Sequence, residues 1–210
     1  MQEFLSLAGI ISALAVGTVS LGPSFVMVAR VAVSSSRPNG MAASLGIGVG
    51  GVAFAVTALL GLQAVLLAVP ALYVGLKLLG GLYLCYLGYR IFLSARQPLA
   101  VTGHGFDERK SLSNSFWLGL TTQISNPKAA IVYASVFAAF LPDTFSIPYA
   151  LVLIFVVFVT EAGWYALVAA LISSSRPRRA YLSYKAWLDR AAGLVMVGLG
   201  VKLITSAHKW

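Results

Sequence analysis

Acidic side chains are scarce in this chain: six Asp and Glu stand against fifteen Lys and Arg, and charged residues make up only 10% of its 210 residues. Polar surface that sparse cannot cover a water-soluble globule of this size, which excludes an ordinary soluble domain. Cysteine is nearly absent. Cys85 stands alone inside an apolar run, so neither a disulfide framework nor a thiolate metal site can be assembled, and no redox compartment follows. Histidine is limited to His104 and His208, both outside the apolar runs, and Asp189 falls at the edge of one. Neither a Ser/His nor a two-carboxylate catalytic arrangement is therefore expected at depth. A single deep carboxylate without histidine is likewise a poor ligand set for a divalent ion, so no metal or other cofactor is expected.

What is abundant is hydrocarbon, at 59% of residues. A bilayer-spanning helix needs roughly 20 apolar residues at about 1.5 Å each. Apolar runs fall at about 5 to 33, 41 to 67, 71 to 93, 116 to 140, 148 to 172 and 188 to 206, which predicts an all-α, six-helix transmembrane bundle. One transmembrane domain over residues 1–210 is expected, with a first half to residue 93, a polar loop at 94–115 and a second half from 116. The breaks carry turn chemistry in Arg37-Pro38-Asn39-Gly40, Pro70, Pro142-Asp143 and Pro148. Ala13-Leu14-Ala15 resembles a signal-peptidase site, but the segment opens with Glu3 rather than a basic cluster, so it reads as an uncleaved first span.

The net charge of +9 suggests nucleic acid only superficially, because no basic cluster is interleaved with the motifs of a nucleic-acid binder. It is better read as topology. Arg30, Arg37, Arg90, Arg96, Arg109, Lys110, Arg176, Arg178, Arg179, Lys185 and Arg190 gather at the first, third and fifth breaks, while Lys202 and Lys209 stand on the other side. Cytoplasmic loops retain Lys and Arg, so these three breaks are expected inside and both termini outside. The string Arg176-Pro177-Arg178-Arg179 also suits anionic lipid headgroups.

Two charges remain deep within spans. Lys128 lies about 12 residues into its run and Glu161 about 13, which places both roughly 18 to 20 Å down, near the midplane. A charge there adds about 2.5 kcal/mol or more to insertion and usually marks a pathway, although a buried pair that only fixes packing is the simpler reading. Lys77 lies closer to the outer boundary, where it either snorkels or lines a path.

The backbone points to the same region. Gly22-Pro23 interrupts the first span and Asn126-Pro127 the fourth, and these spans open the two three-helix halves. An odd number of spans per half makes the halves run in opposite senses, as in an inverted repeat whose broken helices expose backbone to a central substrate. An ordinary proline kink is the alternative. The glycines divide differently. Gly46-Ile47-Gly48-Val49-Gly50-Gly51 lacks the preceding strand of a dinucleotide loop. Ala42, Gly46 and Gly50, like Gly9, Ala13 and Gly17, recur every four residues and form small packing faces.

Gly22-Pro23, the Gly-rich entry to the second span, Leu76-Lys77-Leu78-Leu79-Gly80-Gly81 running on to Tyr86-Leu87-Gly88, and Asn126-Pro127-Lys128-Ala129-Ala130 together resemble the LysE/RhtB family of amino-acid exporters. The likeness covers nearly the whole chain. That family often has Pro-Gly-Pro-Asn in the first span, where this chain has Leu21 before Gly22-Pro23 and Ser24 after it. The resemblance implies a secondary transporter in the bacterial cytoplasmic membrane that exports an amino acid or close derivative, driven by the proton gradient. A small-cation or metal transporter of similar architecture is the rival. Gly22, Pro23, Ser24, Lys77, Asn126, Pro127, Lys128 and Glu161 are the expected substrate-binding residues. In that role Lys128 and the broken-helix amides meet a carboxylate, Glu161 meets an ammonium group or carries the coupling proton, and Lys77 tunes the outer half of the path. The expected partners are the amino-acid substrate and the lipid bilayer, with homo-oligomerisation left open.

Overall fold

The computed structural model describes residues 1–20, 22–68, 70–95, 111–142, 144–173 and 175–207. Among them there are helices and no strands: α1 (Gln2–Val19), α2 (Pro23–Ser34), α3 (Arg37–Ala68), α4 (Pro70–Ser94), α5 (Leu112–Ile124), α6 (Pro127–Phe140), α7 (Ile147–Ile172) and α8 (Ser175–Ser206). By length and composition Gln2–Val19, Arg37–Gly61 and Ile147–Ile172 can each cross a membrane, while α2 and α6 are shorter apolar helices.

The two predicted interruptions are complete breaks. Proline lacks an N–H and fixes its own φ, so it is best tolerated where a helix begins. Pro23 opens α2 behind the extended Gly22, and Pro127 opens α6 behind Asn126, whose side chain accepts from the amides of Lys128 and Ala129. The expected first span is thus α1 plus α2, and the fourth is α5 plus α6.

Two boundaries differ from the sequence expectation. Arg37-Pro38-Asn39-Gly40 does not form a turn; it is the first turn of α3, where proline removes no needed hydrogen bond. α8 starts at Ser175 rather than near residue 188 and runs through the basic string, because Arg, Ala, Leu and Lys favour helix whether or not they are apolar. The expected polar loop at 94–115 falls largely on residues 96–110, outside those described; Ser111 beyond it caps α5 by accepting from the Asn114 amide.

Glycine faces bring the helices together. On α3, a Cβ at Gly46 would strike the Phe116 carbonyl of α5, and one at Gly119 of α5 would strike the Ala43 carbonyl of α3, so the two backbones are in direct contact. α4 and α8 meet similarly, with Gly88 against the Gly193 carbonyl. α1 packs on α6 through Gly9 and Gly17. Small residues permit this approach, and close packing is a main source of helix association in lipid. Gly46→Ala is expected to lower the unfolding temperature in detergent, since overpacking costs about 1 to 3 kcal/mol. Gly163→Ala, with nothing within 4 Å of the added carbon, is the control and is expected to leave that temperature unchanged or slightly raised. Equal behaviour of the two would contradict the backbone contact.

Large apolar side chains also face outward, among them Leu151, Phe155 and Leu167 of α7 and Leu79 and Leu82 of α4. A water-soluble protein of this size does not expose apolar residues on this scale. Inside, one apolar cluster joins α1, α3, α4, α6, α7 and α8, and a second joins α2 to α3 and α7. The polar residues described next lie where the two broken spans meet.

Candidate functional site

The breaks expose polar backbone, and polar side chains gather around it. The Lys128 ammonium donates to the Ser20 carbonyl (2.9 Å) and to Ser20 Oγ, so the start of α6 is anchored on the end of α1. An ammonium has three N–H donors, which leaves one after the two to Ser20. Gly22 permits the arrangement, because a Cβ there would lie 3.2 Å from Lys128 Nζ.

Glu161, at 4% exposure, projects from the middle of α7 into the same region. Its Oε1 accepts from Thr18 Oγ1 (3.0 Å) and from the Tyr133 hydroxyl (3.1 Å). Thr18 has one proton for two acceptors, since its Oγ1 also lies 2.8 Å from the Leu14 carbonyl. Glu161 Oε2 is buried without a hydrogen-bond partner. Leaving a buried acceptor unmatched costs about 1 to 3 kcal/mol, more for a charged group, so it calls for an explanation. Gly51 of α3 makes space here: a Cβ would sit 2.8 Å from the Tyr133 hydroxyl and 3.0 Å from Glu161 Cγ.

Lys128 and Glu161 are therefore hydrogen-bonded to separate sets of neutral groups while close enough to attract one another, and both line one cavity of about 20 Å³ together with Gly22, Asn126, Gln123 and Thr18. That volume accommodates one water molecule.

Of the other expected site residues, Ser24 is fully buried and stands one layer behind the cavity. Its hydroxyl donates to Gln123 Oε1 (2.8 Å) and accepts from Asn126 Nδ2 (3.1 Å), which ties one break to the other. Pro23 and Pro127 start the half-helices and do not line the cavity. Lys77 lies on α4, outside the cavity lining. Its side chain is only 6% exposed, so it does not snorkel outward.

Sequence reasoning missed Thr18, Ser20, Gln123 and Tyr133. A signal was present: three of them are polar residues within five positions of a break in otherwise apolar spans. Asp189 was expected at the edge of the last apolar run and given no part in the site. With α8 starting early, this residue is well inside the helix and its side chain is buried, close enough to interact electrostatically with Lys128.

Similarity to known proteins agrees with this picture. The model of the LysE type translocators matches residues 15–207. The chain belongs to this family. It is 35% identical over 192 residues to the threonine efflux protein of Escherichia coli K12, covering 91% of this chain and 93% of that protein. Over 193 residues it is also 35% identical to the threonine efflux protein of Salmonella typhi, with the same coverage. An uncharacterized membrane protein of Haemophilus influenzae is 31% identical over 192 residues, or 90% of each chain. No solved structure matches the chain significantly. As a LysE type translocator the protein is a membrane transporter and not an enzyme. Its cavity is lined by both interrupted helix pairs and by α7.

Proposed function

We propose that this translocator exports an amino acid or close derivative from the cytoplasm, in exchange for protons, with the cavity between the two breaks as its substrate site. One observation carries the reading: a spare Lys128 N–H and an unmatched Glu161 oxygen belong to residues that line the same small space, which has room for one water as it stands and must widen to admit substrate. A zwitterion supplies the complement of both. Its carboxylate meets Lys128 and the start of α2, a helix with no side-chain cap, where the helix dipole favours an anion. Its ammonium group meets Glu161 Oε2, which takes the coupling proton when no substrate is present. The named activity of the threonine efflux relatives supports this substrate class.

The two halves are read as an inverted repeat of six spans. Supporting this, α3 packs on α7 and α4 on α8, each helix thus meeting its counterpart in the other half. The excess of basic residues at three breaks supports a cytoplasmic position for those breaks and an outside position for both termini. Lys77, buried on α4 and outside the cavity lining, tunes the outer half of the path in this scheme without touching substrate in the cavity.

A metabolite profile of cells overproducing the chain tests the function. Accumulation of one amino acid or derivative outside the cells is expected, and it should collapse when the proton gradient is discharged. A C-terminal epitope on the same protein should be reached by antibody in intact cells. An unchanged external profile across the amino acids would remove the export reading, and efflux indifferent to the gradient would remove the coupling.

A further inference from the structure

A second hollow lies at the other end of α6. It measures about 320 Å³ and is lined by residues that include Gln2, Leu5 and Ser6 of α1, Phe140 at the end of α6, and Lys202 of α8. That volume is in the range of small-molecule sites. The Lys202 ammonium rests 3.8 Å from the centre of the Phe140 ring, a cation–π contact that holds the charge at the mouth. The end of α6 is fastened there: Ser6 Oγ donates to the Phe140 carbonyl (2.6 Å) and is 2.7 Å from the Tyr149 hydroxyl.

α1 and α6 connect this hollow to the central cavity. Gly17 meets Val132 and Gly9 meets the Phe140 ring, so the two helices run antiparallel in one register. Lys128 and Phe140 are 12 residues apart on α6, about 18 Å along its axis. Between them Ile10, Ala13, Val136 and Phe137 are buried, and the seam is closed. The ring of Phe140 sits where any side chain at position 9 would be, directly between the seam and the hollow.

We propose that the exported molecule leaves along the α1/α6 seam, past the Phe140 ring as outer gate, into a vestibule where Lys202 receives its anionic group. The proposal rests on the export reading and on the outside position of the termini. It assigns Lys202 a role that a merely topological lysine lacks. The seam has what a gate needs. A path at Gly9 is blocked by a side chain rather than by backbone, and a ring moves more easily than a helix.

A cross-link tests it. A Cβ at residue 9 would lie 3.2 Å from Phe140 Cγ, and the Cβ of residue 140 is one bond further, so a Gly9→Cys, Phe140→Cys pair can form a disulfide. In a Cys85→Ala background, oxidation is expected to cut export by the pair at least tenfold, dithiothreitol to restore it, and the Cys85→Ala parent to be indifferent to both. Undiminished export by a fully cross-linked pair overturns the seam and leaves the export reading standing. A parent that exports nothing defeats both. Should the pair fail to fold, Lys202→Gln decides. It is expected to weaken inhibition of export by externally added substrate about tenfold, and an unchanged inhibition curve overturns the vestibule.

Discussion

Lys128→Ala is expected to reduce export at least a hundredfold while the protein still reaches the membrane in near-normal amount. The substitution removes the cation nearest the start of α2 and leaves the Ser20 carbonyl and hydroxyl without their donor. A hundredfold loss corresponds to about 2.7 kcal/mol of transition-state stabilisation, within reach of one charge-assisted contact in a water-poor site. Lys128→Arg is not expected to restore activity. A Cβ at Gly22 would already be 3.2 Å from Nζ, so a planar guanidinium has no room to lie as the ammonium does, and the two cations are not equivalent at such a site. Initial efflux rates from preloaded cells, normalised to protein detected in the membrane, provide the check. Export by Lys128→Ala at the wild-type rate would mean that no substrate charge is met there.

Glu161→Gln is expected to be comparably severe, and it separates charge from shape. Glutamine keeps an oxygen for Thr18 and Tyr133, so the contacts that hold the side chain in place survive. What changes is the unmatched atom: a neutral amide replaces Oε2, which can neither attract an ammonium group nor take up a proton. Efflux should fall about a hundredfold with membrane insertion unimpaired or improved, because removing a deep charge lowers the insertion cost by about 2 to 3 kcal/mol. The pair of measurements decides the assignment. Lost export with lost protein would indicate a packing role, whereas lost export with abundant protein supports contact with substrate or proton.

Several features of the fold were readable without coordinates because they depend on local chemistry. Gly22-Pro23 and Asn126-Pro127 weaken a helix through the missing proline N–H and the ring's clash with the preceding turn, and the structure breaks at both. The four-residue spacing of Gly46 and Gly50 forecast a small face, and that face meets α5. Lys128 and Glu161 stood out because hydrocarbon penalises charge at depth. The missing parts were those set by three-dimensional arrangement. Thr18 and Tyr133 are ordinary span residues until α1, α6 and α7 are packed together, and only then do they hold the same carboxylate oxygen. Ser24 was expected to touch substrate, yet its hydroxyl is used by Gln123 and Asn126, and only packing could reveal that. Asp189 stands at the edge of an apolar run, and only the packing of α8 shows its side chain buried near Lys128.

The hydroxyl of Ser24 has a mechanical consequence. It is bonded at once to a residue of α5 and to the cap of α6 while belonging to the first turn of α2. The two ruptured spans thereby share a common hinge pin. A swing of either half-helix must carry the other with it or sever two buried bonds, so the two discontinuities articulate as one joint.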